Sequence, residues 1–242
     1  MSGFSFEYTL TKSDCDNVGR ISLSSLLELF CNAAIYDYEN AGLSRDKLES
    51  ENFRFLLVQT AVKINALPVC DDTVIVSTEE VGISGAFFDR RYNVFSLDKT
   101  LLITADSRWV LTDTSHRPMS PKKFPYKIAA GNKPEIECER MKKYSLSDFS
   151  GGTVYKVKKD FIDQNNHVHN SVYADVALSL LPENFWQKNW LGFSINWRRE
   201  AVLGDSWQLF TSSSADVYSC VGFIDDKNSF DFFLYTESAK TP

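Results

Sequence analysis

The chain repeats itself, and that repeat restricts its fold more than any other feature. A shift of 147 residues aligns Tyr8 with Tyr155, Lys12 with Lys159, Asp16 with Asp163 and Ser24 with Ser171. Further on, a shift of 133 aligns Val69 with Val202, Asp72 with Asp205 and Thr78 with Thr211. The order of predicted elements repeats as well. Residues 4–11 alternate as a strand, and Asp14, Cys15, Asp16 and Asn17 make a polar turn. Residues 22–41 place Leu23, Leu26, Leu27, Phe30, Ala34 and Tyr38 at three- and four-residue steps, the mark of a helix that Gly42 stops. Strand-like runs follow at 55–65, 73–81, 87–97 and 101–112, with Asp98 and Lys99 turning between the last two. The second half reads alike. It has a strand at 153–159, a turn at 163–166, a helix at 171–181 ended by Pro182, and strands at 192–199, 206–213, 217–224 and 230–236.

Two copies of strand, long helix and four antiparallel strands predict an α+β fold. A long helix buried by the concave face of a curved antiparallel sheet is the hotdog arrangement, so the expectation is a double hotdog. Residues 1–115 form the N-terminal unit, 116–148 the linker and 149–242 the C-terminal unit. The linker is marked by Pro118, Pro121, Pro125 and Pro134 and by the lack of any clean period. Single hotdog units pair, so two in one chain make an internal pseudo-dimer, with a homodimer of the chain as a further option.

Composition narrows the class. A net charge of -6 argues against nucleic acid as a partner. The five cysteines are scattered without a C-x-x-C pair, which suits neither a disulfide framework nor a zinc site and points to a reducing cytoplasm. No cofactor or metal is expected. The first residues run straight into a strand with no signal or transit pattern, and no apolar stretch is long enough to span a membrane.

Of three histidines, two fall in one segment, Asp163, Gln164, Asn165, Asn166, His167, Val168, His169 and Asn170. Asp and Asn favour turns and helix caps, which alone would account for much of it. The repeat supplies a control. Asp16 matches Asp163, but Val18 stands for Asn165, Arg20 for His167 and Leu67 for Glu200. Asn, His and Glu confined to one half point to one active and one structural unit. The candidate catalytic residues are Asp163, Asn165, His167 and Glu200. Asp163 or Glu200 would activate water, His167 would relay a proton or orient the water, and Asn165 would donate to the carbonyl oxygen. Backbone N–H groups at the helix start are expected to complete the oxyanion site.

These motifs resemble the acyl-acyl carrier protein thioesterases of plants and bacteria. The family pattern D-x-N-x-H-V-N-N-x-x-Y is met by Asp163, Asn165, His167, Val168, Asn170 and Tyr173. A Y-R-R-E-C-G-like segment is met by Trp197, Arg198, Arg199, Glu200 and Ala201, followed by Gly204, Asp205 and Ser206. In the first half, Asp106, Ser107, Arg108, Trp109 and Val110, then Arg117 and Pro118, resemble the segment ahead of that family's linker. Residues 82–91 (GISGAFFDRR) are similar to its glycine-then-arginine run. The departures are His169 in place of an asparagine, Val176 in place of a tryptophan, and Ala201 where the plant enzymes carry a cysteine once proposed as nucleophile. With alanine there, water is the expected nucleophile.

The resemblance implies hydrolysis of fatty acyl-acyl carrier protein to a free fatty acid, with the acyl chain bound largely by the first unit. Phe87, Phe88 and Trp109 are candidate lining residues. Arg198, Arg199, Lys156, Lys158 and Lys159 are candidates for a basic rim facing the acidic carrier. Three other readings remain at this point: an acyl-coenzyme A thioesterase, an enoyl-thioester hydratase or dehydratase on the hotdog fold, and a non-catalytic acyl-binding protein. The hydratase motif D-x-N-P-x-H differs by its proline and by one more residue between Asn and His.

Overall fold

The computed structural model describes residues 3–126 and 144–237. The chain divides into two compact units, Met1–Cys138 and Glu139–Pro242. Residues 127–143 of the expected linker lie outside the described residues.

The first unit runs β1 (Phe4–Thr9), α1 (Leu23–Asn40), α2 (Arg45–Ser50), β2 (Arg54–Ile64), β3 (Thr73–Ser84), β4 (Phe87–Ser96) and β5 (Leu101–Thr112). Its antiparallel sheet has the order β1-β3-β4-β5-β2. The second unit runs β6 (Ser150–Lys156), α3 (Val172–Leu178), α4 (Glu183–Trp186), β7 (Trp190–Trp197), β8 (Ser206–Ser213), β9 (Val217–Ile224) and β10 (Lys227–Thr236). Its order is β6-β8-β9-β10-β7, the first order with five added to every label. This is the double hotdog.

Helix α1 forms because Ser22 caps it, accepting the Ser25 N–H at 3.1 Å, and because its apolar positions share one face. Leu23, Leu26, Leu27, Phe30 and Ala33 are buried on that face. Burial of a side chain such as Leu26 or Phe30 contributes about 1.5–3 kcal/mol. Gly42 ends the helix in the left-handed region (φ 74), with Leu43 N–H bonded to Tyr38 O and Gly42 N–H to Glu39 O. Helix α3 is much shorter, seven residues against an expected eleven or so. Ser179 Oγ turns back onto Val176 O at 2.7 Å, and Pro182 disfavours a helical residue before it. The short helices α2 and α4 were not foreseen, since neither is long enough to show an apolar period.

The repeat extends to individual hydrogen bonds. Ile21 N–H bonds Pro68 O at 2.9 Å, and Val168 N–H bonds Ala201 O at 2.8 Å. Val69 N–H bonds Asp72 Oδ2 at 2.9 Å, and Val202 N–H bonds Asp205 Oδ2 at 3.0 Å. Both sequence offsets, 147 and 133, are therefore structural equivalences. Hairpin β9–β10 turns at Asp225 and Asp226, both at positive φ (49 and 59), so Lys227 and Asn228 belong to β10 rather than to the turn.

The first-half segments that resembled the family lie side by side as neighbouring strands. Asp89 faces Arg108 and Arg91 faces Asp106 across β4 and β5, with ion pairs of 3.1 and 3.0 Å. Between them Arg90 turns to the helix side and pairs with buried Asp37 of α1 at 2.8 Å. The same guanidinium lies 3.6 Å from buried Glu80, which also accepts the Tyr38 hydroxyl. Phe88 is buried with Leu43, Leu48, Leu111 and Phe124, while Phe87 lies beneath the Arg108 guanidinium. Trp109 packs on the same cluster and donates to Ser107 Oγ at 2.7 Å.

Candidate active site

Asp163 organises the segment from within. Its Oδ1 accepts the backbone N–H of Asn165 (2.7 Å) and of His167 (3.3 Å), and its Oδ2 accepts the Asn165 side-chain amide (3.1 Å). Its own N–H donates to His167 O at 2.8 Å, and Asn166 takes a positive φ of 63 at the loop tip. Asp16 does the same work in the first unit. It accepts Val18 N–H at 3.0 Å and Arg20 N–H at 2.9 Å, and Gly19 holds the positive φ (84). There the residue in the place of His167 is Arg20, ion-paired to Asp16 at 3.0 Å. The carboxylate is thus a turn former common to both units.

What differs is what the turn presents. His167 Nε2 lies 3.3 Å from Glu200 Oε2, with the imidazole 23% exposed and the carboxylate 46% exposed. Glu200 follows β7, and its loop is joined to the histidine loop by the bond from Val168 N–H to Ala201 O. Residues 168 and 201 directly follow the two site residues, so one backbone bond sets their spacing. The arrangement brings Asp163, Asn165, His167 and Glu200 into one partly open surface.

Helix α3 opens at Val172 with Ser171 as its N-cap, and His169 lies two residues ahead of that cap. The His169 Nδ1 lies 2.7 Å from Ser171 Oγ and accepts Ser171 N–H at 3.3 Å. This is the counterpart of Ser22 Oγ beside Ser24 Oγ in the first unit. The histidine at the asparagine position therefore holds the turn that leads into α3.

Ala201 is fully buried, with its N–H on Tyr173 Oη at 3.0 Å. Burial pushes the Cys31 and Cys220 thiols up to about 12 and the Cys15 thiol up to about 11, so all three stay protonated at neutral pH. Ala201→Cys is expected to keep the parent turnover and to be no more sensitive to iodoacetamide than the parent protein. Alkylation-dependent loss specific to that variant would show a thiol at this position facing the substrate. Among the described residues no cluster of three His, Cys, Asp or Glu side chains is placed to hold a metal.

The matched turns define a second experiment. Asp16→Ala and Asp163→Ala each remove charge-assisted hydrogen bonds to backbone, for a similar stability loss of about 1–3 kcal/mol. Only Asp163→Ala is expected to lower turnover, by more than about tenfold, because only that turn carries His167. Chemical denaturation and initial rates on the two variants check both halves of the expectation.

The basic rim is thinner than the sequence suggested. Arg198 Nε bonds buried Asp231 at 2.6 Å, and Arg199 bonds Ile224 O at 2.7 Å and Asp225 at 3.2 Å. Lys156, Lys158 and Lys159 are exposed, with Lys158 over the Tyr155 and Phe161 rings. Ser229 and Trp207, neither singled out from the sequence, sit directly behind Glu200. Trp207 Nε1–H donates to Ser229 Oγ at 3.1 Å, and Ser229 Oγ–H donates to Arg199 O at 2.8 Å.

Two hotdog units in one chain, with a histidine–carboxylate pair in the second, define a double-hotdog enzyme of acyl-thioester chemistry. The chain belongs to the acyl-ACP thioesterase family: residues 2–123 match its N-terminal domain and residues 145–230 its C-terminal domain. It is a thioester hydrolase of fatty acyl-acyl carrier protein. No curated protein sequence matches the chain. Among solved structures, an acyl-ACP thioesterase from Bacteroides thetaiotaomicron shares the fold at a TM-score of 0.81 and 19% identity, covering 97% of this chain and 98% of that one. The 12:0-ACP thioesterase of Umbellularia californica superposes at a TM-score of 0.79 and 17% identity, covering 97% of each chain.

Proposed function

We propose that Glu200 and His167 carry out the hydrolysis by activating water, while Asp163 shapes the turn and Asn165 binds the carbonyl oxygen. The observation that carries this reading is the His167–Glu200 pair at 3.3 Å, set on two loops whose first-unit copies present Arg20 and Leu67 instead. Glu200 takes a proton from water as its oxygen attacks the thioester carbon. The tetrahedral oxyanion accepts an amide N–H of Asn165, whose side chain is oriented by its bond to Asp163 Oδ2. Collapse breaks the C–S bond and releases the thiolate, which receives its proton from Glu200 through His167. An alkyl thiol has a pKa of about 8.5, so the leaving group needs little help and the water needs most of it.

Asp163 is better read as a positioning group than as the base, since its oxygens are occupied by three N–H donors and Asp16 repeats the pattern without the chemistry. The carrier protein docks against the exposed Lys156, Lys158 and Lys159, and the acyl chain lies in the first unit. Four unbridged cysteines, Cys15, Cys31, Cys70 and Cys220, support a cytoplasmic setting. Among the described residues no helix is long and apolar enough to cross a membrane.

Thiol release should be followed from one acyl chain carried by acyl carrier protein, by coenzyme A and by a short pantetheine mimic. Hydrolysis of the carrier-bound chain is expected to fall about tenfold in kcat/KM as salt rises through the range that screens surface charge, with the mimic nearly unchanged. An equal salt response for all three substrates would remove the lysine rim from the account.

A further inference from the structure

We propose that Tyr173, Ser229 and Trp207 are positioning residues that clamp the peptide groups on both sides of Glu200 and so hold its carboxylate against His167. The inference rests on the site assignment above. On the N-terminal side, Arg199 O accepts Ser229 Oγ–H at 2.8 Å, and Ser229 Oγ accepts Trp207 Nε1–H at 3.1 Å. On the C-terminal side, Ala201 N–H donates to Tyr173 Oη at 3.0 Å. Ser229 and Trp207 are fully buried, and Tyr173 is 1% exposed. Tyr173, Trp207 and Phe230 pack edge to face with centroids 5.3–6.1 Å apart, a rigid frame behind an exposed loop. Burial pushes the Tyr173 phenol up to about 12, against the Ala201 N–H that lowers it, so the hydroxyl stays protonated through the working pH range.

The first unit shows that the loop folds without this clamp. Its backbone bonds are the same: Asn65 and Ala66 N–H both reach Leu102 O (2.8 and 3.2 Å), as Arg198 and Arg199 N–H both reach Ser229 O (2.8 and 3.1 Å). The side chains differ at every clamp position. Leu26 stands for Tyr173, Leu102 for Ser229, Val74 for Trp207, and Pro68 for Ala201. Proline has no N–H to donate and Leu26 no oxygen to accept it, so donor and acceptor are lost together, in the same unit that has Leu67 in place of Glu200. Three polar groups buried in the core and absent from the matching fold element have a use beyond folding. A carboxylate on a loop needs such support, because a misplacement of about 1 Å can cost about a hundredfold in rate.

The test uses Tyr173→Phe, which keeps the ring and removes the oxygen, and Ser229→Ala, each made in the parent chain and in Glu200→Ala. Near-UV circular dichroism checks folding, and Ser229→Ala, the smaller change, decides the matter if Tyr173→Phe does not fold. In the parent, each is expected to lower kcat about 10- to 100-fold with KM within about twofold. In Glu200→Ala each is expected to cost less than about twofold, because the group being positioned is gone. Parent-like kcat for the folded variants, or the same fold-loss in both backgrounds, would overturn the clamp while leaving the site assignment intact. Full turnover by Glu200→Ala itself would overturn the site assignment and the clamp with it.

Discussion

Glu200→Gln is expected to lower kcat by about 10²–10⁴-fold, the usual contribution of a positioned general base, while its melting temperature stays close to that of the parent. The amide keeps the shape and the capacity to accept a hydrogen bond from His167 but cannot take a proton from water. Stability should hardly change because the carboxylate is 46% exposed and pairs with a histidine that is itself partly exposed. A substitution at such a position is ordinarily within about 0.5 kcal/mol of neutral. The first unit makes the same point, since its matching loop carries Leu67 and keeps its backbone bonds. Steady-state kinetics should place the loss in kcat with KM nearly constant, as for an interaction made in the transition state. A variant that turned over normally would move the base elsewhere and leave Asp163, despite its occupied oxygens, as the remaining carboxylate of the cluster.

The second large effect concerns stability. Arg90→Met is expected to destabilise the protein by about 3–5 kcal/mol, the cost of leaving buried charge uncompensated. Asp37 and Glu80 have side chains only 7% and 5% exposed, and Arg90 bridges them from β4. Removing the guanidinium leaves two carboxylates in the interior of the first unit without a counter-charge. At roughly 2–4 °C per kcal/mol for a chain of this size, the melting temperature should fall by about 6–20 °C. Replacing Arg90, Asp37 and Glu80 together by apolar residues of similar volume should recover most of that loss, because desolvation offsets much of what a buried ion cluster contributes. Thermal melts of the single and triple variants decide the matter, and a single variant as stable as the parent would contradict the account.

The repeat was legible because its markers are local. Asp16 and Asp163 shape their turns through bonds to residues two and four positions on, and any sequence with that spacing carries the signal. Gly42 was readable as a helix stop for the same reason. The site was legible in part. Asn165 and His167 stood out only because Val18 and Arg20 occupy the matching turn, and Glu200 only because Leu67 does. The clamp was not legible. Tyr173 stood out only as the last residue of a family motif, Trp207 fell inside the expected strand 206–213 without a role, and Ser229 just before the expected strand 230–236. Their common role depends on a meeting of α3, β8 and β10 that no local pattern encodes. Arg90 was hidden similarly, since one residue of a charged run turns inward while Asp89 and Arg91 pair across β5.

The two units offer a matched control for the central claim that only the second performs the chemistry. Thiol release from acyl carrier protein should be measured for the parent chain, for His167→Ala and for Arg20→Ala, the same position of the same turn in the first unit. The account predicts that His167→Ala loses at least about 10²-fold in kcat while Arg20→Ala keeps the parent rate. Parent-like turnover by His167→Ala, or an equal loss in Arg20→Ala, would contradict it.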